Sequence, residues 1–106
     1  MKSIYISLPI SCHENTYEQR LDAAVEYVKN VYKKYDIIIT PKEVAMRLEF
    51  YKPNKPKYKD YLLASLKEIR HCDAILMSKG WQDSSGCLVE IAFAEAIGLT
   101  ILYQLK

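Results

Sequence analysis

Residues 72–103, CDAILMSKGWQDSSGCLVEIAFAEAIGLTILY, contain short apolar runs at both ends, separated by a turn and a longer apolar segment. The run at 73–77 predicts a buried strand, and a second strand is predicted at 100–105. The segment between them predicts a turn followed by a helix, with Gly98 at the position of the helix C-cap. Two strands joined by a helix predict a β–α–β unit with parallel strands.

The same alternation occurs towards the N-terminus. Residues 3–8, SIYISL, predict a buried strand that ends at the polar loop PISCHEN. Residues 36–40, DIIIT, predict another strand, which Pro41 stops.

Two further helices are predicted around the second of these strands. Apolar residues between Tyr17 and Tyr32 recur every three or four positions, which predicts a helix of about four to five turns. Thr16 and Gln19 are spaced to form a capping box at its start. Another helix is predicted at 58–71, whereas residues 42–57 are compatible with a short helix before a loop rich in Lys and Pro.

Alternating strands and helices predict a parallel sheet with helices on both faces. We therefore predict an α/β fold, a flavodoxin-like or Rossmann-like three-layer sandwich with four or five parallel strands. At 106 residues, the chain is expected to form one domain spanning 1–106. In such folds ligands bind at the carboxyl ends of the strands, which places residues 7–14, Pro41 and residues 78–86 around one crevice.

Composition excludes several classes of protein. No apolar run approaches the roughly 18 residues of a membrane span, and no signal peptide is apparent, so we expect a soluble cytoplasmic protein without membrane partners. The net charge of +2 argues against a nucleic-acid partner. The Lys-rich stretch at 51–59 is best explained as a solvated loop, although a basic flap over an anionic ligand is the alternative.

Metal and cofactor sites are not predicted. The three cysteines lie far apart in sequence, which indicates reduced thiols rather than a disulfide framework or zinc site. His13 and His71 lack carboxylate or Cys partners at ligand spacing. The dinucleotide and P-loop glycine motifs are both absent, and we expect no cofactor.

Glu90 is the candidate for chemistry, because it lies early in the apolar helix between Val89 and Ile91. Burial would raise its pKa and the helix dipole would lower it, so the sequence leaves the net shift open. Such a carboxylate could act as a nucleophile or a general base, or it could simply face solvent near the helix start. Glu95 lies about 140° further round the helix and faces elsewhere.

Other polar and aromatic residues are expected near the crevice. Ser84 or Ser85 can cap the last helix, where free amides favour an anion, and Gly86 allows close approach of a ligand. Trp81 and Tyr5 could belong to the core or could stack against a base or sugar. A nucleophilic pair formed by Cys12 and His13 is disfavoured, because neighbouring loop residues rarely point together.

Residues 4–11, IYISLPIS, together with residues 72–103 and the helix between them, resemble the nucleoside 2-deoxyribosyltransferase-like superfamily, in particular its branch of short single-domain proteins. The resemblance implies that Glu90, four residues after Gly86, attacks the anomeric carbon of a 2-deoxyribonucleoside or its 5′-monophosphate. The base leaves, and the sugar passes to another base or to water. The substrate-binding residues implied are Tyr5, Ser7, Pro9, Ser11, Ser65, Trp81, Ser84 and Gly86.

The same resemblance implies further properties. Ser84 occupies a position that is often serine in the monophosphate hydrolases, which favours a nucleotide over a free nucleoside, and a homodimer is expected by analogy. The chain departs from the family at Leu8, where a glycine is usual, and at Ser65, where an aspartate is usual. Since serine is a poor general acid, a non-catalytic nucleotide-binding module and an oligomerising interaction protein stay open as alternatives.

Overall fold

The computed structural model describes residues 1–9, 16–52 and 54–105. These residues form four strands, which are β1 (Ser3–Ser7), β2 (Ile37–Ile39), β3 (Ala74–Met77) and β4 (Thr100–Tyr103). They also form four α-helices, which are α1 (Tyr17–Val31), α2 (Pro41–Tyr51), α3 (Tyr58–Arg70) and α4 (Ser85–Ala96). A 3₁₀ turn at Trp81–Asp83 joins β3 to α4.

The strands form one parallel sheet with the order β2-β1-β3-β4. This flavodoxin-like order confirms the predicted α/β fold with four parallel strands. The order reverses between β1 and β3, because the chain leaves β1 for β2 on one side and then crosses to β3 on the other. Ser7 is paired with Met77 in register, so the two strands end together at this switch point.

Side-chain alternation divides the core into two layers. On one face of the sheet, the core contains Ile4, Ile6, Leu8, Ala74 and Leu76, which pack with the α1 residues Leu21, Ala24 and Val28. On the other face, Tyr5, Ile75 and Met77 pack with residues of α2, α3 and α4, including Val44, Ile69, Cys87 and Ile91. One helix therefore covers one face, and three helices cover the other.

Residues 42–57, the segment of weakest prediction, contain most of α2. Thr40 is its N-cap, because the Thr40 hydroxyl oxygen accepts a hydrogen bond of 3.2 Å from the backbone N–H of Glu43. Pro41 occupies the first turn, where its missing N–H is not needed. Pro41 thus both ends β2 and begins a helix of 11 residues.

The predicted capping box at the start of α1 is wrong. The Thr16 side chain makes no capping hydrogen bond, and Thr16 does not have the extended backbone of Thr40. The start of α1 follows residues 10–15, which lie outside the described ranges. Among the described residues, no helix is both long and apolar enough to cross a membrane.

Two glycines occupy left-handed backbone conformations at the ends of helical segments. Gly98 has φ +75° after α4, as its predicted C-cap role requires, and Gly80 has φ +85° before the 3₁₀ turn. A Cβ at Gly80 would lie 2.9 Å from a guanidinium nitrogen of Arg20, whereas a Cβ at Gly98 would meet nothing within 4 Å. The Arg20 guanidinium also donates to the Lys79 carbonyl.

We expect Gly80→Ala to be more destabilising than Gly98→Ala. Both substitutions place an L side chain in the left-handed region, at a cost of about 1 to 2 kcal/mol. Gly80→Ala also displaces Arg20 from the Lys79 carbonyl, at a further cost of about 1 kcal/mol. Urea unfolding of the two variants measures the difference, and equal losses would contradict the contact between Arg20 and Gly80.

Candidate active site

A cavity of about 330 Å³ opens at the carboxyl end of β1, on the sheet face covered by three helices. α2 and α3 contribute residues spaced for one helical face, and α4 contributes its first turn and Glu90. The lining residues are Pro41, Val44, Ala45 and Glu49 from α2; Tyr58, Tyr61 and Ser65 from α3; and Ser85, Gly86, Cys87 and Glu90 from α4, together with Leu8 and Ser84. A small-molecule site typically has this size and this mixture of apolar walls and a few polar groups.

The Glu90 carboxylate is buried at the floor of this cavity, with 7% of the residue exposed. The Ser7 hydroxyl donates to Oε1 over 2.6 Å, and the Tyr5 hydroxyl lies 3.4 Å from Oε2. Of the two orientations that the sequence left open, the structure therefore shows the inward one. Two hydroxyl groups hold the two carboxylate oxygens from below.

Tyr5 links Glu90 to Ser65. The Tyr5 hydroxyl is fully buried and lies 3.1 Å from the Ser65 hydroxyl oxygen. Because a tyrosine hydroxyl has only one proton, a Tyr5 that donates to Glu90 leaves Ser65 to donate to the Tyr5 oxygen. Ser65, Tyr5 and Glu90 thus form one hydrogen-bonded chain at the cavity floor.

Ser7 is fixed in place by the neighbouring strand. Its carbonyl oxygen accepts hydrogen bonds from the Ser78 hydroxyl, over 2.7 Å, and from the Ser78 backbone N–H, over 3.1 Å. Both residues are almost fully buried. The end of β3 therefore sets the position of the hydroxyl group that contacts Glu90.

Burial dominates the electrostatics of the site. It raises the pKa of Glu90 to about 7, while the hydrogen bonds from Ser7 and Tyr5 act in the opposite direction. Burial, together with the charge of Glu90, also raises the pKa of Tyr5 well above its usual value. At neutral pH Glu90 is therefore divided between its neutral and charged forms, and Tyr5 stays protonated.

The start of α4 forms the side of the cavity next to Glu90. The Ser84 hydroxyl oxygen accepts a hydrogen bond of 3.3 Å from the backbone N–H of Cys87, which confirms that Ser84 is the cap. A Cβ at Gly86 would lie 3.1 Å from the hydroxyl oxygen of Tyr58. The glycine therefore allows the α3 and α4 walls to approach closely. Burial raises the pKa of the Cys87 thiol in this wall.

Two of the residues predicted to bind substrate, Trp81 and Pro9, do not line the cavity that contains Glu90. Trp81 lies in the 3₁₀ turn, with its ring centroid 6.0 Å from that of Tyr103, and lines a separate shallow depression. Pro9 is buried and does not line the cavity. Ser11 lies outside the described residues, as do Cys12 and His13. Tyr5, Ser7, Ser65, Ser84 and Gly86 are brought together around Glu90.

Several lining residues were not predicted from sequence. Glu49 and Tyr61 face each other at the cavity wall, where the Tyr61 hydroxyl donates to Glu49 Oε2 over 3.1 Å. The positions of Pro41, Val44, Ala45 and Glu49 share one helical face, so recognising Thr40 as an N-cap would have indicated their common direction. Within residues 1–9, 16–52 and 54–105, no cluster of His, Cys, Asp and Glu could hold a metal ion.

The strand order and the crevice at its switch point place this chain among the flavodoxin-like α/β proteins. Its fold matches that of a 2-deoxyribosyltransferase from Leishmania mexicana, with a TM-score of 0.65 and 20% sequence identity. The match covers 97% of this chain and 63% of that protein's chain. The predicted nucleoside 2-deoxyribosyltransferase-like fold is thereby confirmed.

The sequence of the chain shows the family to which it belongs. The model of a family described as Domain of unknown function (DUF4406) matches residues 2–103, and the chain belongs to that family. No curated protein matches the chain.

The raised pKa of Glu90 predicts a specific pH dependence of stability. Between its usual pKa and about 7, the folded state retains a proton that the unfolded state has lost, so folding becomes less favourable as pH rises through this window. Glu90→Gln removes the free-energy cost of ionising the buried carboxyl group. We expect this variant to be more stable than wild type at pH 8 by on the order of 3 kcal/mol.

Urea unfolding from pH 4 to pH 8 measures this difference. It should grow as pH rises to about 7 and then level off. Glu95→Gln, which removes an exposed carboxylate from the same helix, is the matched control. A difference between wild type and Glu90→Gln that does not change with pH would contradict the burial argument.

Proposed function

We propose that this protein cleaves the N-glycosidic bond of a 2-deoxyribonucleoside or its 5′-monophosphate, with Glu90 as the nucleophile. The observation that supports this most directly is the buried Glu90 carboxylate, held by Ser7 and Tyr5 at the floor of a ligand-sized cavity. The match to a protein named as a 2-deoxyribosyltransferase agrees with this chemistry.

In the proposed reaction, a charged Glu90 oxygen forms a bond to the anomeric carbon, and the bond from that carbon to the base nitrogen breaks. The electron pair of the broken bond goes to the base, which takes up a proton from water as it leaves. Water or a second base then attacks the anomeric carbon of the sugar ester and gives up a proton to water, while the ester bond breaks and releases the Glu90 carboxylate. The first displacement requires the charged Glu90 carboxylate, and the second restores it. Activity should therefore increase as pH rises through about 7.

A 5′-monophosphate suits the α4 wall. The first amides of α4 have no partners within the helix, and the helix dipole favours an anion there. Ser84, Ser85 and Gly86 line the cavity at this point. We therefore favour a nucleotide over a free nucleoside.

A binding module without turnover is the second candidate, and Ser65 favours it. The Ser65 hydroxyl faces Tyr5, at the position where an aspartate is usual in the nucleoside 2-deoxyribosyltransferase-like superfamily. A serine hydroxyl cannot assist departure of the base as an acid at neutral pH. Leu8 also lines the cavity, and its side chain narrows the cavity at a position where the same superfamily usually has a glycine. In this candidate Glu90 holds a ribose hydroxyl.

The predicted homodimer, the single domain spanning 1–106 and the cytoplasmic location stay predictions. So does the expectation that a small nucleoside or nucleotide, rather than a nucleic acid, is the partner. If the protein is instead an oligomerising interaction protein without a ligand, it should neither bind nor cleave nucleosides or nucleotides.

Base release tests the proposal. The protein is incubated with deoxynucleosides and their 5′-monophosphates, with and without an acceptor base, and free base is measured by chromatography. Wild type should release base, and Glu90→Gln should be slower by at least about a thousandfold, because it keeps the shape of the side chain but removes the nucleophile.

Glu95→Gln, on the same helix, should keep wild-type rates. If wild type and Glu90→Gln give the same background, catalysis is excluded. Saturable binding by calorimetry on the same compounds would then identify the binding module.

A further inference from the structure

The wall of the cavity carries a second carboxylate, Glu49, paired with Tyr61. Glu49 comes from the last turns of α2, and Tyr61 comes from the first turns of α3. The Tyr61 hydroxyl donates to Glu49 Oε2 over 3.1 Å, and both residues line the same cavity as Glu90. They also border a shallow depression on the outer side, so the pair lies at the rim of the cavity.

The rim pair, Glu49 and Tyr61, is connected to Glu90 through α3. Tyr61 precedes Ser65 by four residues on α3, which is about 6 Å along the helix axis. Ser65 is connected through Tyr5 to Glu90. This step rests on the proposed function, in which the anomeric carbon of a nucleoside lies at Glu90. If the base then lies against α3, its far edge points at the rim pair.

The rim pair offers hydrogen-bond acceptors and no donor. An ionised carboxylate has only acceptor sites, and the single proton of Tyr61 is already given to Glu49. The remaining sites are therefore the lone pairs of the Glu49 carboxylate and of the Tyr61 oxygen. A base edge that suits this arrangement must present adjacent donors.

Only one of the common bases presents such an edge. Adenine and cytosine place one amino group beside a ring nitrogen that accepts, and thymine places one N–H between two carbonyls. Guanine places its N1–H next to its 2-amino group, so it offers two donors side by side. We propose that the Glu49–Tyr61 pair selects guanine, and that the substrate is a 2-deoxyguanosine compound, free or as its 5′-monophosphate.

The size of the preference follows from the number of donors matched. A two-point contact between a side chain and a base edge discriminates by about ten- to a hundredfold against the wrong base. A base that places a carbonyl against the Glu49 carboxylate meets electrostatic repulsion. Hypoxanthine keeps the N1–H and lacks the 2-amino group, so deoxyinosine is the matched ligand control.

The test measures binding by calorimetry and base release by chromatography on the same panel, which contains deoxyguanosine, deoxyinosine, deoxyadenosine, deoxycytidine and thymidine with their 5′-monophosphates. Wild type should prefer deoxyguanosine over deoxyinosine by about tenfold and over thymidine by more. Glu49→Gln replaces one carboxylate oxygen with an amide NH₂ donor, so it should weaken binding of deoxyguanosine, relieve the repulsion against thymidine and abolish this preference. Tyr61→Phe keeps the carboxylate and should weaken the preference only in part.

Glu26→Gln is the matched control variant. Glu26 is exposed on α1, on the opposite face of the sheet. The substitution therefore removes the same charge as Glu49→Gln, but away from the cavity. It should keep the wild-type preference. An equal change for all bases in Glu49→Gln would show a general charge effect and would overturn the guanine assignment. Circular dichroism during thermal unfolding confirms that each variant is folded.

The outcomes separate this inference from the proposed function. Release of every base at similar rates supports cleavage and overturns guanine selection. Preferential binding of deoxyguanosine without release supports guanine selection and contradicts cleavage. Absence of both binding and release for the whole panel overturns the two together.

Discussion

The rest of the site depends on how the Glu90 carboxylate is held inside the protein. A carboxyl group in a largely apolar setting loses most of its hydration, and this loss is visible in its raised pKa. The hydroxyls of Ser7 and Tyr5 replace part of that hydration from the strand below. Both hydroxyls come from β1, which ends at Ser7, and Glu90 comes from α4, which begins at Ser85 after the Ser84 cap.

This arrangement explains several otherwise separate features. Ser78 fixes the Ser7 carbonyl, so the two central strands must end in register. The Ser84 cap fixes the first turn of α4 and, with it, the direction of Glu90 about one and a half turns later. A helix that is otherwise apolar can then bury one acid without leaving that acid unpaired.

Much of the fold could be predicted from sequence, because its strands are continuous apolar runs and its main helices show clear periodicity. The buried β3 and the Gly98 cap are local patterns of this kind. The capping box at Thr16 failed because Thr16 lacks the extended backbone that Thr40 has as an N-cap, and residue spacing alone does not determine backbone conformation. α2 was poorly predicted because Pro41 was interpreted only as the end of a strand.

The site was predictable where it depends on strand ends and on the helix that follows them. Tyr5, Ser7 and Glu90 meet because the topology brings β1 and α4 together, and the sequence order already implies that topology. Trp81 lies beside Tyr103 and apart from Glu90, because strand-end position does not determine on which side of a turn a side chain lies. Glu49 and Tyr61 were missed because their pairing depends on how α2 packs against α3, and that packing leaves no signal in local periodicity.

The alternation along β1 has a consequence for how this molecule can change. Ile4 and Ile6 belong to the layer under α1, whereas Tyr5 and Ser7 face the cavity. A single strand therefore contributes side chains to two packing layers. Substitutions of α1 residues that pack on Ile4 and Ile6 can alter the stability of one layer while Ser7 and Tyr5 keep their contacts with the Glu90 carboxylate in the other.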